Sequence, residues 1–184
     1  MTTKDTVRFV ADLMAVSART APKAGGQDYI EVKVLSDSEK ETLGQDMIQL
    51  GRQRQNSGFE RDGKNVLDSD AVLLIGLLPH SGIGLDCGSC GFASCTEFNE
   101  RSKAPQEGAE KSEFQGPNCV IRLLDLGIAL GSAAKMASEM NVDNRIMYRI
   151  GVSARRLGLG GSNIIHGIPL SATGKSIFFD RERK

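Results

Sequence analysis

The chain has 184 residues, 40% of them hydrophobic and 25% charged, and its 23 basic side chains balance 23 acidic ones. That length fits a single domain, residues 1–184, with a core of its own, and zero net charge leaves no basic field to gather nucleic acid or anionic lipid. There is no tryptophan, and the longest apolar run, 71–78, is too short to span a bilayer, so the expected setting is the cytoplasm.

In chain order, Thr6 is a candidate helix cap. Val7, Val10, Ala11, Met14 and Ala18 follow at helical spacing until Ala21-Pro22 stops the pattern. After Gly25-Gly26, the segment 29–35 alternates like a half-buried strand. Residues 38–55 predict a polar helix with Leu43, Met47 and Leu50 on its inner face. The continuous apolar run 70–78 predicts a central strand that Pro79 ends. Residues 96–115 carry Glu97, Glu100, Glu107, Glu110 and Glu113 and suit a solvated helix and loop. The longest helix is expected over 120–140, where Gly127, Gly131 and Ala134 make a smooth face for close packing against a partner subunit. Asp143 or Asn144 caps a further helix through Leu157, and 163–168 predicts a last strand. Three strands among four or five helices give an α+β fold, a small mixed sheet packed by helices. Residues 79–119 are an insertion hung from the end of the central strand.

That insertion holds all four cysteines of the chain, Cys87-x2-Cys90-x4-Cys95-x23-Cys119. A disulfide framework belongs to an oxidising compartment, whereas Met1-Thr2-Thr3-Lys4-Asp5 mixes acid and base where a signal peptide needs an apolar stretch. Structural zinc takes two C-x2-C pairs as a rule, and only the first pair here has that spacing. Three clustered cysteines with one remote partner suit an iron–sulfur cubane, which spreads its ligands around a larger object than one ion. Gly88 and Gly91 permit positive φ and let backbone N–H groups face the sulfurs. Zinc remains the alternative.

The stretch from Cys87 to Phe98, Cys-Gly-Ser-Cys-Gly-Phe-Ala-Ser-Cys-Thr-Glu-Phe, resembles the four-cysteine domain of the corrinoid iron–sulfur protein and of Rnf-type electron-transport subunits. The resemblance implies a [4Fe-4S] cluster on Cys87, Cys90, Cys95 and Cys119, although the spacing to Cys119 is longer here. Nearly the whole chain resembles a family of uncharacterised bacterial and archaeal ferredoxin-domain proteins. The matching blocks include Arg19-Thr20-Ala21-Pro22-Lys23, Gly116-Pro117-Asn118-Cys119 and Asn141-Val142-Asp143-Asn144-Arg145.

A helix, then residues 21–29, then a strand is also similar to the start of the flavin-dependent nitroreductases. Arg155 to Leu159, a strand and the Gly167-Ile168-Pro169 turn look like that fold's end. This likeness implies a nitroreductase-like framework, a homodimer and flavin mononucleotide as a second cofactor. The Arg-x-Ser-x-Arg phosphate clamp of those enzymes is absent. Arg19, Lys23 and Gly25 are the candidate flavin contacts, with Lys175 or Arg181 approaching from the tail.

Ala172-Thr173-Gly174-Lys175-Ser176 is not a phosphate loop, because Pro169 stands where the first glycine is required. His80 and His166 are too separated for a Rieske-type pair. His80 lies near the cysteines and can carry a proton, although a lone loop histidine is more often exposed and idle. The expected function is single-electron transfer through one [4Fe-4S] cluster, coupled or not to a flavin-dependent reduction. The counterpart is a redox partner protein or a small-molecule substrate. The alternatives are a flavin-free carrier or redox sensor for a larger enzyme, and a zinc-stapled interaction module.

Overall fold

The computed structural model describes residues 2–104 and 112–179. Helix α1 (Thr3–Thr20) starts one turn earlier than its apolar stripe, because Thr2 and Asp5 form a reciprocal capping box. Thr6 is not the cap; its hydroxyl donates back to the Thr2 carbonyl inside the first turn. The predicted stripe Val7, Val10, Ala11, Met14 and Ala18 is the buried face. A short 3₁₀ turn at Ala24–Gly26 leads to β1 (Ile30–Val34), and Ser36 caps α2 (Asp37–Gln53) through a second box with Glu39.

Helix α3 (Ser57–Asp68) was not expected. It buries Phe59, Asp62, Gly63, Asn65 and Val66, only two of which are apolar. The helix packs on α2 by close approach. A methyl on Gly44 would meet Leu67, one on Gly51 would meet the Glu60 backbone, and one on Gly63 would meet the Gly44 carbonyl at 2.9 Å. Asp62 is buried between Arg61 and Arg149, at 2.7 and 2.9 Å.

Strand β2 (Ala71–Leu77) is buried at every position. The sheet order is β1-β2-β4-β3, with β3 at Asp143–Asn144 and β4 at Ile164–Ser171. Every pairing in it is antiparallel, so the expected mixed sheet is corrected. A run buried on both faces reads alike in parallel and antiparallel sheets, and only the partners' directions distinguish them. Asp143 and Asn144 pair with β4 rather than capping a helix. The next helix, α6 (Tyr148–Arg156), starts after Met147 bridges Gly167.

Two cores flank the sheet. On one face Leu73, Ile75 and Ile168 meet α1 and α5 (Val120–Glu139). On the other Val72, Leu74 and Ile165 meet α2 and α6. Helix α6 lies so close to β4 that a methyl on Gly151 would stand 1.6 Å from the Ile165 carbonyl oxygen. On the outer face of α5, Leu124 and Ile128 are 57% and 44% exposed. Gly127 and Gly131 share that face and have no neighbour within 4 Å of an added methyl.

Replacing Gly151 with alanine should therefore push α6 off β4 and destabilise the protein by about 3 kcal/mol or more. Urea denaturation followed by circular dichroism measures this, and an unchanged midpoint would contradict the close contact.

Candidate metal centre

Leu77 of β2 pairs with Ile30 of β1 and Ile164 of β4, and beyond it the chain leaves the sheet. The Leu78 N–H still donates to the Tyr29 carbonyl, holding the exit in place. A loop without regular structure follows, turned by positive φ at Gly84, Asp86, Gly88 and Gly91, at 88°, 46°, 69° and 85°. Asp86 is the one side-chain-bearing residue among them. Its carboxylate accepts the Cys95 N–H at 2.6 Å, at the start of helix α4 (Cys95–Lys103). Ser94 caps the same helix through the Glu97 N–H, and the Glu97 carboxylate accepts the Ala93 N–H. Cys95 is thereby fixed at a helix N-terminus, which residue spacing alone did not reveal.

Cys87, Cys90, Cys95 and Cys119 all line one narrow pocket. Cys87 is exposed, Cys90 and Cys95 are partly covered and Cys119 is buried. Phe92 and Phe98 wall the pocket with their rings 5.9 Å apart, edge to face. The Gly84 N–H donates to Cys95 Sγ at 3.3 Å. Hydrogen bonds from the Ser89 backbone N–H, then from its hydroxyl, hold the Cys87 thiol below its ordinary value. Among the described residues no three His, Cys, Asp or Glu side chains are arranged to hold a single metal ion.

Cys119 is the N-cap of α5 and makes no side-chain capping bond. Its N–H donates to Nε2 of His80 at 3.0 Å, and Nδ1 of His80 lies 2.9 Å from the Leu78 carbonyl. His80 is thus neither exposed nor idle. Its ring stacks on Phe98 and meets Tyr29 edge on, both at 6.0 Å. Burial, the largest cause, pushes its pKa down. The segment before Cys119 is strapped across α6: Arg155 donates to the Ser112 and Glu113 carbonyls, Glu113 pairs with Arg54 and Tyr148, and the Gln115 N–H donates to the Asn163 carbonyl. Glu107, Glu110 and Arg181 lie outside the described residues.

One turn into α5, Arg122 is fully buried. It donates to the Ala24 carbonyl at 2.8 Å and to the Gln27 side chain, pairs with Asp125 at 3.3 Å and lies over the Tyr29 ring. Asp125 in turn accepts the Ala24 N–H at 2.8 Å. This pair ties the 24–29 turn to the helix that Cys119 starts. No sequence pattern marked it, because apart from each other its partners lie about a hundred residues away, at Ala24 and Gln27.

The residues considered for a flavin do not gather in one chain. Arg19 pairs with Asp28 at 2.7 Å and donates to the Ile30 carbonyl, while Lys23 donates to the Ala18 and Arg19 carbonyls that end α1. Arg19 is thus held by a carboxylate and a carbonyl, and Lys23 by two carbonyls, beside the Leu77 end of the sheet. Lys175 follows Ser171, whose neighbour Leu170 pairs with Ala71 at the opposite end of β2, roughly 20 Å away at the rise of a strand. Gly25 takes φ 62° in its turn. Beside the cysteine loop, Tyr29, His80, Ser81, Asn99, Lys103 and Asn163 line a cavity of about 600 Å³. No helix among the described residues is long and apolar enough to cross a membrane.

Residues 115–181 match the model of a family described as "Uncharacterized protein containing a ferredoxin domain (DUF2148)". That match includes Cys119 and lies beyond the other three cysteines. An uncharacterized protein of Archaeoglobus fulgidus is 44% identical over 178 residues, 97% of this chain and 93% of that protein. Among solved structures, a nitroreductase with bound FMN from Desulfitobacterium hafniense is 14% identical with a TM-score of 0.55, over 91% of this chain and 78% of its own. The NfrA1 nitroreductase of Bacillus subtilis is 11% identical with a TM-score of 0.55, over 95% of this chain and 61% of its own. B. megaterium NfrA1 is 12% identical with a TM-score of 0.54, over 96% and 61%. The fold is thus nitroreductase-like, though this chain spans only about three fifths of the length of several of these structures. With 44% identity across nearly its whole length, the chain belongs to one family with the Archaeoglobus protein, and its last third matches the model of proteins containing a ferredoxin domain.

Proposed function

We propose that this protein is a cytoplasmic iron–sulfur redox protein whose four cysteines hold one [4Fe-4S] cluster. The observation that carries the reading is that the three thiols of one loop and a fourth from the start of α5 line a single pocket. The likeness of residues 87–98 to the cluster domains of the corrinoid iron–sulfur protein and Rnf-type subunits supports it. Such a cluster supplies one-electron chemistry. The chain contributes the rest. Cys95 and Cys119 sit at helix N-termini, where partial positive charge favours anionic sulfur. The Gly84 and Ser89 donors favour it further. The exposed Cys87 and Leu85 give a redox partner protein or a small substrate an approach. Gathering the thiols orders the loop, so metal binding and folding are linked.

The flavin-coupled form of this reading rests on the fold alone. Arg19 and Lys23 are engaged, and Lys175 follows the end of β4 that pairs with Ala71 rather than the end beside Leu77, so the flavin-free carrier or sensor fits the residues better. Protein purified without oxygen should contain about four irons and four acid-labile sulfides per chain and bleach on dithionite. Stoichiometric zinc without sulfide would favour the interaction module instead, and flavin released on denaturation would restore the coupled form.

The cysteines should differ in weight. Cys90→Ala removes one point of a preformed three-point loop and should leave almost no cluster. Cys119→Ala, on a separate helix, should leave a three-iron or labile one. Iron content and electron paramagnetic resonance on anaerobic samples check this, and an unchanged four-iron spectrum in Cys119→Ala would remove Cys119 from the ligand set.

The working unit we propose is a homodimer packed through the outer face of α5. Within the chain an added Cβ at Gly131 meets nothing within 4 Å and the position lies on the exposed face of α5, so Gly131→Leu should leave the fold intact and weaken the dimer at least about tenfold. Sedimentation of both proteins measures it, and a wild-type monomer at every concentration would refute the dimer.

A further inference from the structure

We infer that His80 is a positioning residue for the metal centre: it fixes Cys119 against the three-cysteine loop through the Cys119 backbone N–H. The inference rests on the cluster reading above. Cys119 is buried at the head of a helix, where its N–H has no intrahelical acceptor. An unpaired buried N–H is costly, and Nε2 of His80 accepts it at 3.0 Å. To accept there the ring carries its proton on Nδ1, which points at the Leu78 carbonyl at 2.9 Å, so both nitrogens are satisfied by one neutral tautomer.

The ring joins three separate parts of the chain. Leu78 and Pro79 anchor it to the end of β2, where the chain exits the sheet. Its face lies on Phe98, which is fully buried on the helix that Cys95 begins. Its Nε2 reaches α5 through Cys119. Tyr29 closes the ring from the edge, and Arg122 lies over Tyr29. The distance between the three-cysteine loop and the remote fourth cysteine is therefore set through this one imidazole. The same bond engages the Cys119 N–H with an imidazole, whereas the Gly84 N–H donates to Cys95 Sγ. Cys119 is thus held through its backbone.

Three variants separate the parts of this role. His80→Phe keeps the ring against Phe98 and removes both hydrogen bonds. His80→Gln places an acceptor near the Nε2 position, and His80→Asn places a polar group near the Nδ1 position only. Each is purified without oxygen, checked for folding by circular dichroism and exposed to an iron chelator. Iron release and the electron paramagnetic resonance spectrum are then followed. Loss of an outer partner of a metal ligand weakens metal retention by roughly ten- to a hundredfold. His80→Phe and His80→Asn should release iron about tenfold faster than wild type, with the three-iron signal expected of Cys119→Ala. His80→Gln should recover most of the wild-type rate. If His80→Phe retains its cluster like wild type, or if His80→Asn recovers retention as well as His80→Gln, the assignment is overturned. If His80→Phe fails to fold, the Gln and Asn pair decides the matter. A wild-type protein that binds no iron and sulfide overturns the cluster reading itself, a different result from a stable cluster indifferent to residue 80.

Discussion

Strand β2 has water on neither face and hydrogen-bonding neighbours on both edges, and the cysteine-bearing end of the molecule is defined by where it stops. Seven consecutive buried residues, Ala71–Leu77, hold the two helical layers apart and set the register of β1 and β4. Because Leu77, Ile30 and Ile164 end together, the chain segments beyond them converge on one side. Tyr29, His80 and Asn163 meet there, and Cys119 is delivered to them from α5. The cysteine loop has little regular structure of its own, so its geometry is inherited from this rigid terminus.

Rigidity is passed on by polar contacts rather than by apolar packing. Asp86 and Ser94 lock the start of α4, His80 locks the start of α5, and the Arg122–Asp125 pair locks the turn at 24–29. Each of these groups is the partner of a backbone N–H or C=O that would otherwise be left at a helix end or a turn. Buried charge is tolerated at Arg122 because a carboxylate, two carbonyls and an aromatic face surround it.

Much of this was legible in the sequence, for identifiable reasons. The apolar period of α1, the unbroken run of β2 and the length of α5 follow from burial, which residue type reports directly. The grouping of the cysteines was legible because thiol spacing constrains what they can surround. Helix α3 was not, since only two of its five buried residues are apolar and its seat on α2 depends on glycines in close contact. The antiparallel sense of the sheet was hidden for the same reason that β2 was easy to find: burial on both faces erases alternation. His80 and Arg122 owe their importance to backbone groups 39 and 98 residues away, and no local pattern records such distances. Lys23 looked free as a sequence because the carbonyls that engage it belong to every residue alike, and Arg19 is held by Asp28 as well as by a carbonyl.

The four thiols are not equally sheltered, and the gradient has a direction. Cys87 faces open water beside an exposed Leu85, while Cys119 lies 4% exposed behind His80 and Phe98. A metal group held between them would have one side toward the outside and one toward the protein. Electrons and dioxygen would both reach it most readily from the side of Cys87. Speed of exchange and sensitivity to air would then be two readings of one geometry, and covering Cys87 on docking would trade the second for a committed partner.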